Sequence, residues 1–288
     1  MSLEVVRPGP LTLIQDAGRP GYAAVGVGPS GAFDRAALAS GARLLGNDPS
    51  DAALEVTLGG LVLRAVDATA IALTGADCRA TVDGEAAGWG TVVTLAAGQI
   101  LTLGFSSQGL RAYVSVAGGI TVEPVLGSRS ADLLSGLGPA PLAAGDILPS
   151  GPRTHHPRTD VPLGLTPARR PGGPVALDLM PGPRTDWLAD PAELAGEWLV
   201  APASNRIGVR LSGRVVTRAS ALAERELASE PIVAGAVQLP PSGLPVIFGP
   251  DHPTTGGYPV VAVLTGAGRD LLAQCRPGDE VQLRWVGD

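Results

Sequence analysis

The stretch LEVTLGGLVLRA, from Leu54 to Ala65, indicates how this chain is built. Two short aliphatic runs flank a glycine pair, which is typical of two β-strands separated by a turn. Similar runs, bounded by Gly or Asp turns, occur at Ala70 to Leu73, Thr91 to Leu95, Ile100 to Leu103 and Leu110 to Val116. The sequence therefore predicts a mainly β protein.

Few helices are expected, because 40 Gly and 27 Pro are spread along the chain. Ala32 to Leu45 is the clearest helix, with Ser30 as its predicted cap and Gly46 at its end. Arg269 to Gln274 is a second, shorter candidate. Gly26 to Gly31 fits the G-x-G-x-x-G pattern, but a dinucleotide site also needs a parallel βαβ unit. We interpret this segment as an entry loop to the helix.

Ordered repeats divide the chain into two similar halves. Their echoes are Pro8 to Thr12 with Pro181 to Thr185, Val56 to Gly60 with Val209 to Gly213, and Ala144 to Leu148 with Pro277 to Val281. The predicted domains are residues 1–150 and 175–288, joined by a proline-rich connection over 151–174 that includes His155 and His156.

Composition excludes several functions. All 21 basic side chains are Arg, so the chain offers no lysine for a Schiff base, a P-loop or biotin attachment. Any ATP or biotin chemistry must then be supplied largely by a partner. A genome biased toward Arg codons is the alternative explanation of the missing lysine. The net charge of −6 and the lack of a basic stripe argue against nucleic acid as a partner.

The cellular setting is also predicted from composition. Cys78 and Cys275 lack metal-ligand spacing and are expected to be buried free thiols, which suits a reducing compartment. Neither a signal-peptide pattern nor an apolar run long enough for a membrane span is present in the sequence. We expect a cytoplasmic protein with no membrane contact and no bound metal.

The densest polar cluster is the loop from Phe248 to Tyr258. Hydroxyls followed by two glycines can direct O–H and N–H donors at an oxygen-rich ligand. The predicted catalytic residues here are Asp251, His252, Thr254 and Thr255, and the predicted substrate-binding residues are Gly256, Gly257 and Tyr258. A plain turn between strands is the alternative.

Further candidates lie elsewhere in the chain. Asp16, a predicted catalytic residue, is close to Arg19, and the two either pair with each other or present a carboxylate and a guanidinium to a ligand. Asn205 and Arg206 form a similar polar group, and the Gln238 amide is suited to binding another amide. All but Asp16 are predicted to bind substrate.

These segments together resemble the allophanate hydrolase subunit 2 family, also named the 5-oxoprolinase C-subunit family or the biotin-dependent carboxyltransferase family. The motifs that carry the resemblance occur in order along nearly the whole chain. They are Gly9 to Thr12, Gln15 to Arg19, Gly31 to Asp34, Gly46-Asn47, Leu54 to Val56, Arg111 to Tyr113, Ala117 to Ile120, Gly127 to Ser130, Ser204 to Leu211, Gly235 to Gln238, Thr254 to Tyr258, Leu272 to Gln274 and Arg276 to Asp279.

The resemblance implies two tandem β-barrel-like domains of cyclophilin-like fold. It also implies a partner of the subunit 1 type, also called the B-subunit type, that shares the active cleft, and a third subunit that uses ATP. The family often has Asp in place of Asn205, Met in place of Ile207, and Arg-Gln in place of His252-Pro253. These departures change the charges expected at the ligand.

Three functions are consistent with the resemblance. The first is a subunit of an ATP-dependent enzyme that opens 5-oxoproline to glutamate and is inactive alone. The second is a carboxyltransferase half-site that uses carboxybiotin on a separate carrier and a urea-like acceptor. The third is a non-catalytic binding module that antagonises a kinase inhibitor.

Overall fold

The computed structural model describes residues 1–152, 173–223 and 225–287. Most of the predicted connection, with His155 and His156, lies outside these residues. The described residues divide into two compact units. The first unit comprises Met1–Arg19, Ser30–Asp132 and the described part of Gly136–Ala168. The second comprises Pro20–Pro29, Leu133–Ser135 and the described part of Arg169–Asp288.

The first unit contains two open sheets, and most of their strands alternate buried and exposed side chains or are buried throughout. Its strands are β1 (Ser2–Pro8), β2 (Leu11–Gln15), β3 (Ala53–Thr57), β4 (Leu61–Ala65), β5 (Thr69–Gly75), β6 (Thr81–Val82), β7 (Glu85–Ala86), β8 (Val92–Leu95), β9 (Ile100–Thr102), β10 (Arg111–Val116) and β11 (Ile147–Pro149). One sheet has the order β11-β1-β4-β9-β6-β7, and the other has the order β2-β3-β10-β5-β8.

The two sheets of the first unit share one hydrophobic core. Leu3, Leu63 and Leu101 of the first sheet pack in the same cluster as Leu54 and Val114 of the second. The resulting arrangement is a sandwich in which apolar side chains of both inner faces are removed from water.

The second unit contains a closed seven-stranded barrel. The strands of this unit, in the barrel and beside it, are β12 (Val175–Pro181), β13 (Gly196–Val200), β14 (Gly208–Ser212), β15 (Glu230–Pro231), β16 (Ala236–Gln238), β17 (Val246–Phe248), β18 (Thr255–Gly256), β19 (Val260–Leu264) and β20 (Glu280–Trp285). The barrel order is β12-β19-β16-β17-β14-β13-β20, and β15 and β18 form a separate two-stranded sheet. Barrel closure leaves no sheet edge exposed in this part of the unit.

Two α-helices occur in the described part of the chain: α1 (Arg35–Leu45) and α2 (Gly266–Leu272). Short 3-10 turns occupy Ala23–Val25, Thr185–Trp187, Pro191–Glu193 and Ser220–Leu222. Helix α1 packs on β5 and β10, where Gly41 lies so close that a Cβ would be 2.3 Å from the Ser115 hydroxyl oxygen. Neither helix is long and apolar enough to cross a membrane.

The predicted cap of α1 was wrong. Asp34 caps the helix through a 2.8 Å bond from the Ala37 N–H, whereas the Ser30 hydroxyl donates to the Ala131 carbonyl. Gly46 ends the helix, as predicted, and the structure places it in the left-handed conformation. The second helix also differs from its prediction, since it begins at Gly266 after the cap Thr265.

The mainly β prediction is confirmed, as are the five predicted strand regions and the two buried free cysteines. The second unit holds the closed barrel, whereas the sheets of the first are open. The first strand of each unit pairs with the last strand of that unit. This pairing is antiparallel for β1 and β11 but parallel for β12 and β20. That both units share a cyclophilin-like fold stays a prediction.

Candidate functional site

Asp16 follows directly on β2 and is surrounded by hydrogen-bond donors. Its Oδ1 accepts from the hydroxyls of Ser128 and Ser130, both at 2.6 Å, and from the Gly18 N–H at 2.7 Å. Its Oδ2 accepts from the Arg129 N–H at 2.6 Å. Four donors converge on one buried carboxylate, an arrangement that stabilises a negative charge away from water.

A tight turn positions three of these donors, those of Ser128, Arg129 and Ser130. Leu126 and Gly127 both have positive φ, and Val125 and Ser128 exchange backbone hydrogen bonds across them. After the turn, the side chains of Ser128 and Ser130 both face Asp16, since alternate residues of an extended segment share a face.

Arg19 is 1% exposed and does not pair with Asp16 in the described structure. Its Nη2 donates to the Ser130 carbonyl and its Nε lies 3.4 Å from the Val125 carbonyl oxygen. Nη1 is buried and has no hydrogen-bond partner among the described residues. A buried guanidinium with a spare donor is a candidate for binding an anion.

A second buried network in the first unit fixes the start of α1. The Tyr113 hydroxyl donates to Glu55 Oε2 at 2.7 Å and accepts from the Asp34 N–H at 2.8 Å. Glu55 also accepts from the Phe33 N–H at 2.9 Å and lies 3.4 Å from Arg111 Nε. Burial, followed by the charge of Glu55, raises the pKa of the Tyr113 hydroxyl well above its ordinary value.

The second unit contains a fully buried ion pair between Arg206 and Asp251. Nε and Nη2 of Arg206 each donate at 2.9 Å to one carboxylate oxygen, and the two side chains are 2% and 0% exposed. The Leu133 N–H adds a 3.1 Å bond to Asp251. Arg206, a predicted substrate-binding residue, and Asp251, a predicted catalytic residue, therefore bind each other. Their ion pair anchors the start of the 251–258 loop.

Asn205 and His252 adjoin this pair in sequence, and Gln238 contacts the other end of the 251–258 loop. Asn205 Oδ1 accepts from the N–H groups of Ile207 and Gly208, which shapes the turn that precedes β14. The Gln238 amide donates to the Tyr258 carbonyl at 2.9 Å. The buried His252 has its Nδ1 2.8 Å from the Pro253 carbonyl oxygen, a contact that favours the Nδ1–H tautomer.

The remainder of the predicted loop is at the surface. Thr255 and Gly256 form β18 against Glu230 and Pro231, and Thr255 and Tyr258 are exposed. Arg184 donates from Nε to Glu230 Oε2 at 3.0 Å and from Nη2 to Oε1. These hydrogen bonds lower the pKa of Glu230. The loop is thus supported at both ends while its tip stays accessible.

A cavity of about 660 Å³ lies beside the loop tip in the second unit. Gly257 and Tyr258 line it, together with Trp187, Arg218 and Arg225 from other segments. Trp187, Arg218 and Arg225 were not predicted as site residues, because no short motif joins them. Ser128 and Ser130 were also not assigned a role, although their motif was one of those that carried the family resemblance.

The predicted site residues therefore fall into two groups. Asp16 and Arg19 meet through Ser130 in the first unit. Arg206 and Asp251 meet in the second, where Gln238 contacts the backbone of Tyr258. Within the described chain, no group of three or more His, Cys, Asp or Glu is arranged to hold a metal ion.

The fold and these polar clusters define a two-unit, mainly β protein with one closed barrel and an accessible polar loop beside a cavity. The chain belongs to the family described as carboxyltransferase domain, subdomain A and B, whose model matches residues 25–285. This confirms the resemblance found in the sequence motifs.

Similar proteins include two bacterial C subunits of 5-oxoprolinase, matched over nearly their whole lengths. The one from Escherichia coli is 37% identical, and the match covers 97% of this chain and 89% of that protein. The one from Haemophilus influenzae is 33% identical, with 95% and 87% covered. A crystal structure of the Kluyveromyces lactis urea amidolyase superposes with a TM-score of 0.89 at 29% identity, over 98% of this chain and 18% of that one.

Proposed function

We propose that this chain is part of an ATP-dependent 5-oxoprolinase, which opens 5-oxoproline to glutamate in a cleft shared with a B-type partner subunit. The observation that carries the proposal is the nearly full-length similarity to two 5-oxoprolinase C subunits. ATP is handled by a third subunit, consistent with a chain that contains no lysine.

The chemistry assigns roles to the two polar groups. Ring opening places negative charge on the lactam oxygen, and donors directed at that oxygen lower the barrier. The Thr254 and Thr255 hydroxyls and the N–H groups of Gly256 and Gly257 are proposed as these donors. Arg19, with its unpartnered Nη1, is a candidate for binding the new carboxylate that ring opening forms.

Proton transfer is assigned to Asp16, Asp251 and His252. Asp16 accepts four hydrogen bonds and Asp251 is paired with Arg206, so both carboxylates are held in place by donors. The His252 imidazole can both accept and donate a proton, and it lies next to the proposed donors.

The proposal also includes the fold and partners that the family resemblance implies. A cyclophilin-like fold is proposed for each unit, supported by the ordered sequence echoes and, for the second unit, by its closed barrel. The matched part of the urea amidolyase is 18% of that chain, which is consistent with a module that works beside other domains.

The isolated chain is expected to be inactive on 5-oxoproline with ATP. Activity should appear when it is combined with a B-type partner and an ATP-using subunit. The measurement is 5-oxoproline-dependent ATP hydrolysis and glutamate formation, with omission of each component in turn as a control. Turnover by the partner-free chain would contradict the proposed division of labour, and an assembled but inactive complex would contradict the proposed reaction.

Thr255→Val is expected to lower turnover of the assembled complex by about tenfold or more, roughly 1.4 kcal/mol of barrier. The substitution keeps the shape of an exposed side chain and removes its hydroxyl. Thr94→Val, at an exposed position of β8, is the matched control and should leave turnover unchanged. Wild-type turnover in a correctly assembled Thr255→Val complex would exclude a catalytic role for this hydroxyl.

A carboxyltransferase half-site is the second candidate, favoured by the family description and by the similarity to urea amidolyase. Here the Gln238 amide and the carboxylates would bind the N–H groups of a urea-like acceptor. The test is transfer of the carboxyl group from carboxybiotin on a carrier to urea in the assembled complex. Urea-dependent loss of carboxybiotin without 5-oxoproline-dependent ATP hydrolysis would favour this candidate.

A further inference from the structure

The cavity of the second unit contains charged groups to which the proposed function has so far given no role. It has a volume of about 660 Å³, within the usual range for small-molecule sites. Arg218, Arg225 and Glu226 line it together with apolar walls that include Val216 and Pro259.

Arg218 is fixed in this cavity by its neighbours. Its Nη2 donates to the Leu239 carbonyl at 2.7 Å, and its guanidinium carbon lies 5.7 Å from the centre of the Trp187 ring. Backbone bonds tie the two segments together, from Ala189 N–H to Thr217 and from Ala219 N–H to Trp187. The guanidinium is therefore held in a fixed orientation, which lowers the entropy lost when a ligand binds.

The Arg218 guanidinium retains hydrogen-bonding capacity. Its Nε is buried and has no acceptor among the described residues. A buried donor without a partner is unfavourable, and an acceptor that reaches it removes that penalty. A planar guanidinium that lines a cavity is suited to a carboxylate, which matches its donor geometry.

The other charged groups of the cavity indicate the net charge of the ligand and a second polar group that it carries. The described lining residues carry two positive side chains, Arg218 and Arg225, and one negative side chain, Glu226. No ion pair joins the three in the described structure, so this set attracts a single negative charge. Glu226 supplies an acceptor that an N–H group of the same ligand can use.

We infer that this cavity binds a small monocarboxylate that also carries an amide N–H, with its carboxylate at Arg218. The inference rests on the proposed function for the choice of probe, since 5-oxoproline is such a molecule. The described residues that line the cavity all belong to the second unit of this chain. Binding therefore does not require a partner protein, in contrast to turnover.

The test is calorimetric or ligand-observed NMR titration of the isolated full chain with three probes. 5-Oxoproline carries both groups, cyclopentanecarboxylate lacks the N–H, and 2-pyrrolidinone lacks the carboxylate. The expected order of affinity is 5-oxoproline, then cyclopentanecarboxylate, then 2-pyrrolidinone. Absence of saturable binding of 5-oxoproline to the wild-type chain, or equal affinity for 2-pyrrolidinone, would overturn the inference.

Arg218→Met is expected to weaken binding of both carboxylates by about tenfold or more, because it removes a charge-assisted hydrogen bond. Arg210→Met is the matched control, since Arg210 is an exposed β14 residue that does not line the cavity. If Arg218→Met does not fold, Arg225→Met at an exposed position replaces it and should weaken both carboxylates severalfold. Unchanged carboxylate affinity in a folded Arg218→Met chain, or in the replacement, contradicts the assignment.

The outcomes separate this inference from the proposed function. Arg218-dependent binding by the isolated chain, together with an inactive assembled complex, supports the cavity and contradicts the 5-oxoprolinase assignment. An active complex, combined with an isolated chain that binds no carboxylate, supports the reaction and overturns the cavity assignment.

Discussion

Asp251→Ala is expected to lower the unfolding free energy of the second unit by about 3–5 kcal/mol. The substitution leaves the Arg206 guanidinium, which is 2% exposed, without its bidentate partner. It also removes the acceptor of the Leu133 N–H. A charge buried without a partner is among the largest single-residue penalties in a protein.

The measurement is urea denaturation followed by tryptophan fluorescence. Three of the four tryptophans, Trp187, Trp198 and Trp285, belong to the second unit, so the signal mainly reports its unfolding. Asp178→Ala breaks the exposed pair with Arg284, whose side chains are 44% and 51% exposed, and should change stability by less than about 1 kcal/mol.

A double substitution tests whether the loss of stability in Asp251→Ala comes from the buried charge of Arg206. Arg206→Met combined with Asp251→Leu removes both charges and replaces them with apolar groups of similar length. Such replacements are often neutral, so the double variant should regain most of the lost stability. If Asp251→Ala and Asp178→Ala lower the unfolding free energy by the same small amount, the buried pair does not anchor the 251–258 loop.

Asp16→Asn is expected to destabilise the first unit by about 3 kcal/mol, because hydrogen bonds to a charged group contribute about 1.5–3 kcal/mol each. The amide keeps the shape of the carboxylate but has one acceptor oxygen. Its NH₂ group must then face either the Arg129 N–H or the serine hydroxyls that bind Asp16.

Hydrogen exchange detects this change locally. Faster exchange is expected in peptides that contain residues 11–19 and 122–132, which the Asp16 network joins. Asp77→Asn is the control, since Asp77 is exposed and accepts one local bond from the Arg79 N–H. Identical exchange in the Asp16→Asn and wild-type chains would show that the network contributes nothing to stability.

The strands could be predicted because their signals are local. Alternation of apolar residues and glycine turns is a property of a few consecutive residues, and Leu54 to Ala65 has it in full. The end of α1 at Gly46 was predicted for the same reason, since a left-handed cap depends on one residue.

The start of α1 was not predictable from neighbouring residues. Both Ser30 and Asp34 are of the types that cap helices. The choice is made by Glu55 and Tyr113, which accept the N–H groups of Phe33 and Asp34 and hold Asp34 in an extended conformation. Glu55 is 22 residues from Phe33 and Tyr113 is 79 residues from Asp34, so no local window contains the answer.

The sequence by itself determined the strand pattern, the loops rich in polar residues and, through its motifs, the family. The tertiary structure alone decided which polar groups meet. Asp16 and Ser128 are 112 residues apart, and Arg206 and Asp251 are 45 apart. The cavity at Arg218 likewise draws its walls from separate segments. Such contacts depend on how the sheets close around a common core, and that closure is set by packing over the whole unit rather than by any short stretch of chain.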